Sequence, residues 1–337
     1  MRRVLQIVPR GSPPEEALAQ VAARLDESWV IAGKVASRTI AASMGRERLQ
    51  AAVEATLPGE AILLHYVGYG YARRGAPLWL FRLLRRWRSG MAGRRLLVHF
   101  HEVAASGPPW RSSFWLSPLQ RRVAARIGRL AHGAVTSLEA YAGRLRRMVP
   151  SLRIEVLPIF SPIGEPVLVR PWSERPRALA LFGSPRARRD LWALHRNEVE
   201  SAVDALAIER VLEIGGKPGG PPTCGGRPVE RLGELESARV GGVFLDCRAA
   251  LFGYPLEFLD KSSAFAAACA YGLLPICCAR GNRTRPVAGE GERWTPAAGI
   301  VGKSDEDLTR IAALAKRWYE THDLARHARA WADLLEP

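Results

Sequence analysis

A chain of 337 residues exceeds what one simple core fills and fits two domains of ordinary size. Its composition is globular, 47% apolar and 24% charged with mean hydropathy near zero, and no apolar run reaches the roughly 18 residues that a bilayer span needs. The formal charge of +16 asks for an anionic partner: nucleic acid, a phosphorylated metabolite or an acidic lipid headgroup.

The start MRRVLQIVPRG turns polar too early for a signal peptide, so a cytoplasmic protein is expected. Residues 4–8 (VLQIV) form a compact apolar strand, and residues 16–25 place Leu18, Val21, Ala22 and Leu25 at helical spacing. Residues 28–32 (SWVIA) are expected as a second strand and 46–57 as a helix. The short continuous apolar runs 61–66 (AILLHY) and 95–100 (RLLVHF) have the pattern of strands buried on both faces of a parallel sheet. A helix lies between them, and another is expected from about 119 to 131. A strand at 134–136, a helix capped by Ser137 and a strand at 153–157 follow. Prolines at 158, 162, 166, 171 and 176 then mark the best boundary in the chain.

The alternation restarts beyond it. Residues 178–182 (ALALF), RVLEIGG, 241–247 (GGVFLDC) and LLPICC are expected as strands, and 189–206, 261–270 and 305–320 as helices. Strands alternating with helices in both halves give an α/β protein of two Rossmann-like, doubly wound domains facing across a cleft. The cysteines Cys224, Cys247, Cys269, Cys277 and Cys278 lack CxxC spacing and neighbouring histidines, and are read as small buried hydrophobes, with no metal site expected.

Polar and aromatic residues concentrate where these strands stop. After RLLVHF come His101 and Glu102, able to exchange hydrogen bonds or protons with a sugar, and then Trp110, Arg111, Phe114 and Trp115 as a binding wall. The plain alternative is that the aromatics plug the core. After AILLHY come Tyr69, Gly70 and Tyr71, either a substrate wall or an ordinary turn, and after the first strand Gly11 offers close backbone approach. In the second half Gly183, Ser184, Arg186 and Arg188 follow a strand and suit a diphosphate. Phe252, Gly253 and Tyr254 form a loop whose rings can stack on a base. Lys261, Ser262 and Ser263 open a helix capped by Asp260 or Ser262, a phosphate pocket in type. EIGGKPGG is neither GxGxxG nor a P-loop, and no GxSxG or HExxH occurs.

HFHEV at a strand end, AVTSLEAY, EVLPIFSPIG at the crossover, then FGSPRARR, FGYP and GLLPICC together resemble the GT-B glycosyltransferases of the family-4-like group, in order over nearly the whole chain. The resemblance implies a nucleotide-sugar bound mainly to the second domain, the acceptor to the first, and no cofactor or metal. It matches His101 to the sugar-contacting histidine, Arg186 and Arg188 to the basic pair at the diphosphate, and FGYP to the donor loop. It implies domains at 1–165 and 166–320, with 321–337 a C-terminal helix returning to the first. The chain departs from the group at its two glutamates with seven residues between them. Ala250 stands at the first position and Glu257 falls one short of the second, leaving Lys261, Ser262 and Ser263 to take that place. LWLFRLLRRWRSG sets Leu80, Leu83, Leu84 and Trp87 against Arg82, Arg85, Arg86 and Arg88, as a crossover helix does or as a helix on an anionic membrane surface does. The second case would give a lipid-linked acceptor and a peripheral location on the inner face of the membrane; the other acceptors are a glycan or a small molecule. The alternative is a degenerate transferase that binds nucleotide-sugar or anions without catalysis. Nucleic acid is not expected, since no recognised binding motif is present.

Overall fold

A computed structural model of the chain describes residues 2–10, 16–33, 35–105, 107–278 and 289–336. In order the elements are β1 (Arg2–Val8), α1 (Glu16–Ile31), β2 (Val35–Ala41), α2 (Arg46–Glu54), β3 (Ala61–Tyr66), α3 (Gly68–Tyr71), α4 (Leu78–Ser89), β4 (Leu96–Phe100), α5 (Ser112–Leu130), β5 (Gly133–Thr136), α6 (Glu139–Met148) and β6 (Ile154–Val156). There follow β7 (Ala178–Phe182), α7 (Pro185–Ala205), β8 (Arg210–Ile214), β9 (Thr223–Cys224), β10 (Arg227–Gly233), α8 (Ser237–Leu245), β11 (Ala249–Phe252), α9 (Ser263–Ala270), β12 (Leu274–Cys277), β13 (Thr295–Pro296), α10 (Asp305–Glu320) and α11 (Leu324–Leu335). The chain divides into two compact units, Met1–Pro158 with Leu324–Pro337, and Ile159–Asp323.

Unit 1 is built on a sheet of order β2-β1-β3-β4-β5-β6 in which every described pairing is parallel. β3 and β4 are buried at every residue, as their unbroken apolar runs require. Unit 2 has the order β13-β12-β11-β7-β8-β10-β9, parallel except for the β9–β10 hairpin. The order in which successive strands are added reverses once in each sheet, between β1 and β3 in unit 1 and between β7 and β11 in unit 2. Such reversals open a crevice beyond the carboxyl ends of the strands.

Several elements differ from the sequence expectation, four of them in type or by a turn or more. Residues 28–31 continue α1, because Trp29 falls four residues after Leu25 on the same buried face, and the second strand is β2 instead. Residues 241–245 end α8, where Val240 and Phe244 share one buried face, and the strand follows at β11. α5 starts at Ser112 rather than beyond Pro118, which lies inside the helix. α7 likewise starts early, at Pro185, so Arg186 and Arg188 are helical.

The basic helix α4 buries Leu80, Leu83, Leu84 and Trp87, and the Trp87 indole donates to Thr56 Oγ1 at 2.7 Å. Its apolar face is therefore spent on the interior of unit 1, as in an ordinary crossover helix. No described helix is long and apolar enough to cross a membrane.

The last helix, α11, belongs to unit 1. Trp331 is fully buried in a cluster with Trp29, Leu25, Leu63 and Leu97, and the Trp29 indole donates to the Ala328 carbonyl at 3.0 Å. Replacing so large a buried side chain leaves a cavity, so Trp331→Ala is expected to cost about 3–5 kcal/mol. Urea unfolding followed by circular dichroism measures it, and a shift within about 0.5 kcal/mol of wild type, the usual surface effect, would contradict this packing.

Candidate functional site

In unit 1 the segments after β1, β3 and β4 meet. Arg10 N–H donates to the Gly70 carbonyl at 3.1 Å, and the N–H groups of His101 and Glu102 point to the Tyr66 carbonyl at 3.1 and 3.4 Å. A Cβ on Gly70 would stand 2.2 Å from the Pro9 side chain, so glycine there serves close approach between two chain segments. Gly11 lies outside the described residues. Tyr71 is not a ligand wall: it is 4% exposed and its hydroxyl reaches the carbonyls of Ile7 and His65 at 3.1 and 2.8 Å. Tyr69 is more open and accepts from Gln120 Nε2 at 3.1 Å. Together with Gly68, Gly75, Glu102 and Val103 these two residues line a small pocket.

The aromatics after β4 do not plug the core. Trp110 and Trp115 are 84% and 72% exposed, Phe114 packs edge-on against Trp115, and Arg111 beside them is exposed too. This is an open amphipathic surface. His101, by contrast, is only 9% exposed and sits among other imidazoles: its Nε2 lies 3.2 Å from His65 Nδ1, and its ring centroid is 3.8 Å from that of His99. Burial lowers the His65 pKa to about 4 and that of His99 well below the usual histidine value. In the sequence His65 and His99 look only like interruptions of apolar strands. Their signal was the period of two that puts His99 and His101 on one face.

In unit 2, β7 and β11 flank the switch point, and both strands lead through glycine into helices capped by serine. Gly183 has φ 145°, and Ser184 Oγ accepts from Ala187 N–H at 3.2 Å to cap α7. Ser262 Oγ accepts from Phe265 N–H at 3.3 Å to cap α9. Gly253 packs against α7, where a Cβ would stand 3.2 Å from the Leu191 backbone. Phe252 is not a loop residue: it ends β11, 4% exposed, with its ring edge-on to Phe265. Tyr254 is half-buried in the loop. Lys261 precedes the cap in a 3₁₀ turn instead of opening the helix, its ammonium 5.0 Å over the Phe258 ring, and Ser263 takes the first helical position. Asp260 is no cap; its carboxylate accepts from Arg293 at 2.9 Å. Ala250 is buried within β11, and Glu257 is exposed in the 3₁₀ turn.

The two arginines of FGSPRARR do different things. Arg186 is exposed and lies 3.8 Å from Asp190. Arg188 is 2% exposed and donates to Glu213 Oε1 at 2.7 Å, so its charge is matched inside the unit and does not face the crevice. The glycines of EIGGKPGG wrap this pair: Gly219 N–H donates to Glu213 at 2.5 Å, and a Cβ on Gly215 would meet the Arg188 guanidinium at 2.4 Å. The motif is a packing device. A further group, His195, Glu198 and Cys278, gathers where α7 departs from helical geometry at His195, with His195 Nδ1 2.9 Å from Glu198 Oε1.

No protein-family model and no curated protein sequence matches the chain. Solved structures do. An alpha-glucosyltransferase in complex with UDP and a 13-mer DNA containing an HMU base aligns over 99% of both chains at 9% identity and TM-score 0.60. WaaG, a glycosyltransferase involved in lipopolysaccharide biosynthesis, aligns over 99% of both at 12% identity and TM-score 0.56. The apo structure of OtsA aligns over 100% of this chain and 99% of its own at 10% identity and TM-score 0.62. The chain has the GT-B fold of these enzymes.

The Arg188–Glu213 pair generates a prediction. Breaking a buried ion pair leaves an uncompensated charge, so Glu213→Leu alone is expected to destabilise by about 3–5 kcal/mol, while the double change with Arg188→Met recovers most of it. Denaturant unfolding of the three variants forms the test; additive losses would show that the two charges do not compensate one another.

Proposed function

We propose that the chain is a glycosyltransferase of hexosyl type that takes its sugar from a nucleotide-sugar. The donor binds at the strand ends of unit 2 and the acceptor at those of unit 1. The observation that carries the reading is the adjacency of β7 and β11 at the switch point of unit 2, the first running through Gly183 into α7 capped by Ser184, the second through Gly253 and a 3₁₀ turn to α9 capped by Ser262. Amide N–H groups and the positive ends of helix dipoles favour a diphosphate there. The likeness over the full chain to glycosyltransferases, one of them in complex with UDP, supports the same reading.

The chemistry asks for neutralisation of the charge that develops on the departing nucleoside diphosphate. Arg186, Lys261 and Ser263 supply it beside the helix starts, with Tyr254 beside the base, while Arg188 holds the scaffold from behind. His101 and Glu102 position the reacting sugar at the end of β4. Trp110, Phe114 and Trp115, exposed beside Arg111, suit an acceptor with an apolar and an anionic part, such as a lipid-linked glycan at an anionic membrane surface. The charge of +16 also suits a nucleic-acid acceptor, and two of the similar structures were solved with DNA; salt-dependent oligonucleotide binding would favour that form.

Thermal unfolding with UDP, GDP, ADP and dTDP checks the donor site. At about a hundred times its dissociation constant a ligand adds roughly 2.7 kcal/mol to the native state, so UDP is expected to raise the midpoint by several degrees. No shift with any nucleotide would overturn the reading. Once turnover is measurable, His101→Ala is expected to lower it by on the order of a hundredfold while leaving the nucleotide shift in place. Equal losses in both would remove His101 from the sugar.

A further inference from the structure

Three imidazoles converge inside unit 1. β3 and β4 pair with His65 opposite His99, and His101 follows two residues later, which brings all three to one face at the carboxyl end of the sheet. One ring nitrogen from each lies within 4.8 Å of the others, and His65 and His99 are 0% and 1% exposed. A tetrahedral ion with bonds of about 2.0–2.1 Å to nitrogen sets its ligands about 3.3 Å apart. His65 Nδ1 and His101 Nε2 are already 3.2 Å apart.

The protonation of His65 follows from a chain of hydrogen bonds behind it. Ser37 Oγ donates to the Asp26 carboxylate at 2.5 Å, which leaves its lone pairs to accept from Gln6 Nε2 at 3.0 Å. Gln6 Nε2 donates also to the Ala22 carbonyl at 3.1 Å, so the amide cannot be turned over. Gln6 Oε1 is therefore the acceptor for His65 Nε2 at 3.1 Å, and the proton of His65 sits on Nε2. The Nδ1 lone pair is left facing His101. Outer hydrogen bonds of this kind fix the tautomer of histidines that bind metals.

His99 supplies the second observation. It is fully enclosed, yet neither ring nitrogen has a hydrogen-bond partner among the described residues. A buried polar group without a partner asks for an explanation, and a bound ion is one that takes up the lone pair.

We propose that His65, through Nδ1, His101, through Nε2, and a ring nitrogen of His99 bind one divalent ion of the zinc class. An all-imidazole donor set selects zinc and its transition-metal neighbours over calcium or magnesium, which want oxygen. Three protein ligands leave a fourth tetrahedral position for water or a substrate oxygen. The inference does not rest on sugar transfer, since binding is read on the free protein.

The test uses the full chain without a histidine tag, stripped with a chelator and confirmed folded by circular dichroism. Zinc is titrated by calorimetry and cobalt(II) by visible absorption. One ion per chain is expected, with the intense visible bands of four-coordinate cobalt and without a thiolate charge-transfer band. His99→Phe and His65→Ala are expected to abolish this binding, and Gln6→Leu, which removes the outer hydrogen bond, to weaken it on the order of 10- to 100-fold. Absence of stoichiometric binding by the folded wild-type chain would overturn the proposal. So would a cobalt spectrum with thiolate character that is lost in Cys278→Ser and kept in His99→Phe, because the ion would then belong to the His195, Glu198 and Cys278 group.

Discussion

A parallel strand covered on both faces can carry a polar side chain only where the strand ends or where a partner waits inside. Among the described residues Gln6, His65 and Glu213 obey that constraint, while the His99 ring and the Tyr66 hydroxyl are buried with no hydrogen-bond partner. β3 and β4 are wholly buried, and their polar members are His65, Tyr66 and His99. Gln6 on β1 is fully buried and fully used, holding Ala22 and Ser37 with its amide nitrogen and His65 with its oxygen. Glu213 on β8 is tolerated because Arg188 and the Gly219 amide meet it. These interior exceptions lie just below the strand ends, so the groups offered to ligands stand on a hydrogen-bonded platform.

The arginine content divides along the same line. Arg175, Arg188 and Arg248 are almost fully buried. Arg175 gathers the carbonyls of Arg170, Phe244, Cys247 and Tyr271, and Arg248 stacks 4.7 Å over the Trp172 ring. A guanidinium has five donors in a plane and can satisfy several buried carbonyls at once, which a lysine cannot. Part of the large positive charge is thus consumed as internal scaffolding. The remainder, with Arg111 beside exposed Trp110 and Trp115, forms the field that an anionic ligand would meet.

The sequence was most legible where one signal dominated. The runs at 61–66 and 178–182 are strands with the expected bounds, and the helix at 305–320 carries the acidic first turn and apolar spacing that define it. It was least legible where an apolar run was short. GGVFL packs as a helix and SWVI continues one, because four or five apolar residues satisfy either period and tertiary packing decides. The alternation and the strand-end motifs were enough for the GT-B architecture. The roles of single side chains were not, since pairs such as Arg188–Glu213 and His65–His101 join residues 25 and 36 positions apart. Nothing local distinguishes a guanidinium aimed at a phosphate from one aimed at a buried carboxylate.

Unit 1 is discontinuous, and that bears on the histidines. Its core is completed by α11, reached only after the 159–323 segment, and the Trp29–Ala328 hydrogen bond spans 299 positions. Loop-closure entropy grows logarithmically, each doubling costing only about 0.6 kcal/mol, so so long an insertion is affordable against a buried tryptophan. The same helix brings the Trp331 ring to 5.5 Å and the His327 ring to 6.4 Å from His99. The end of the chain therefore supplies part of the dry surroundings of His99. Closing the core with α11 thus encloses His99, the one of the three imidazoles whose ring nitrogens find no hydrogen-bond partner among the described residues.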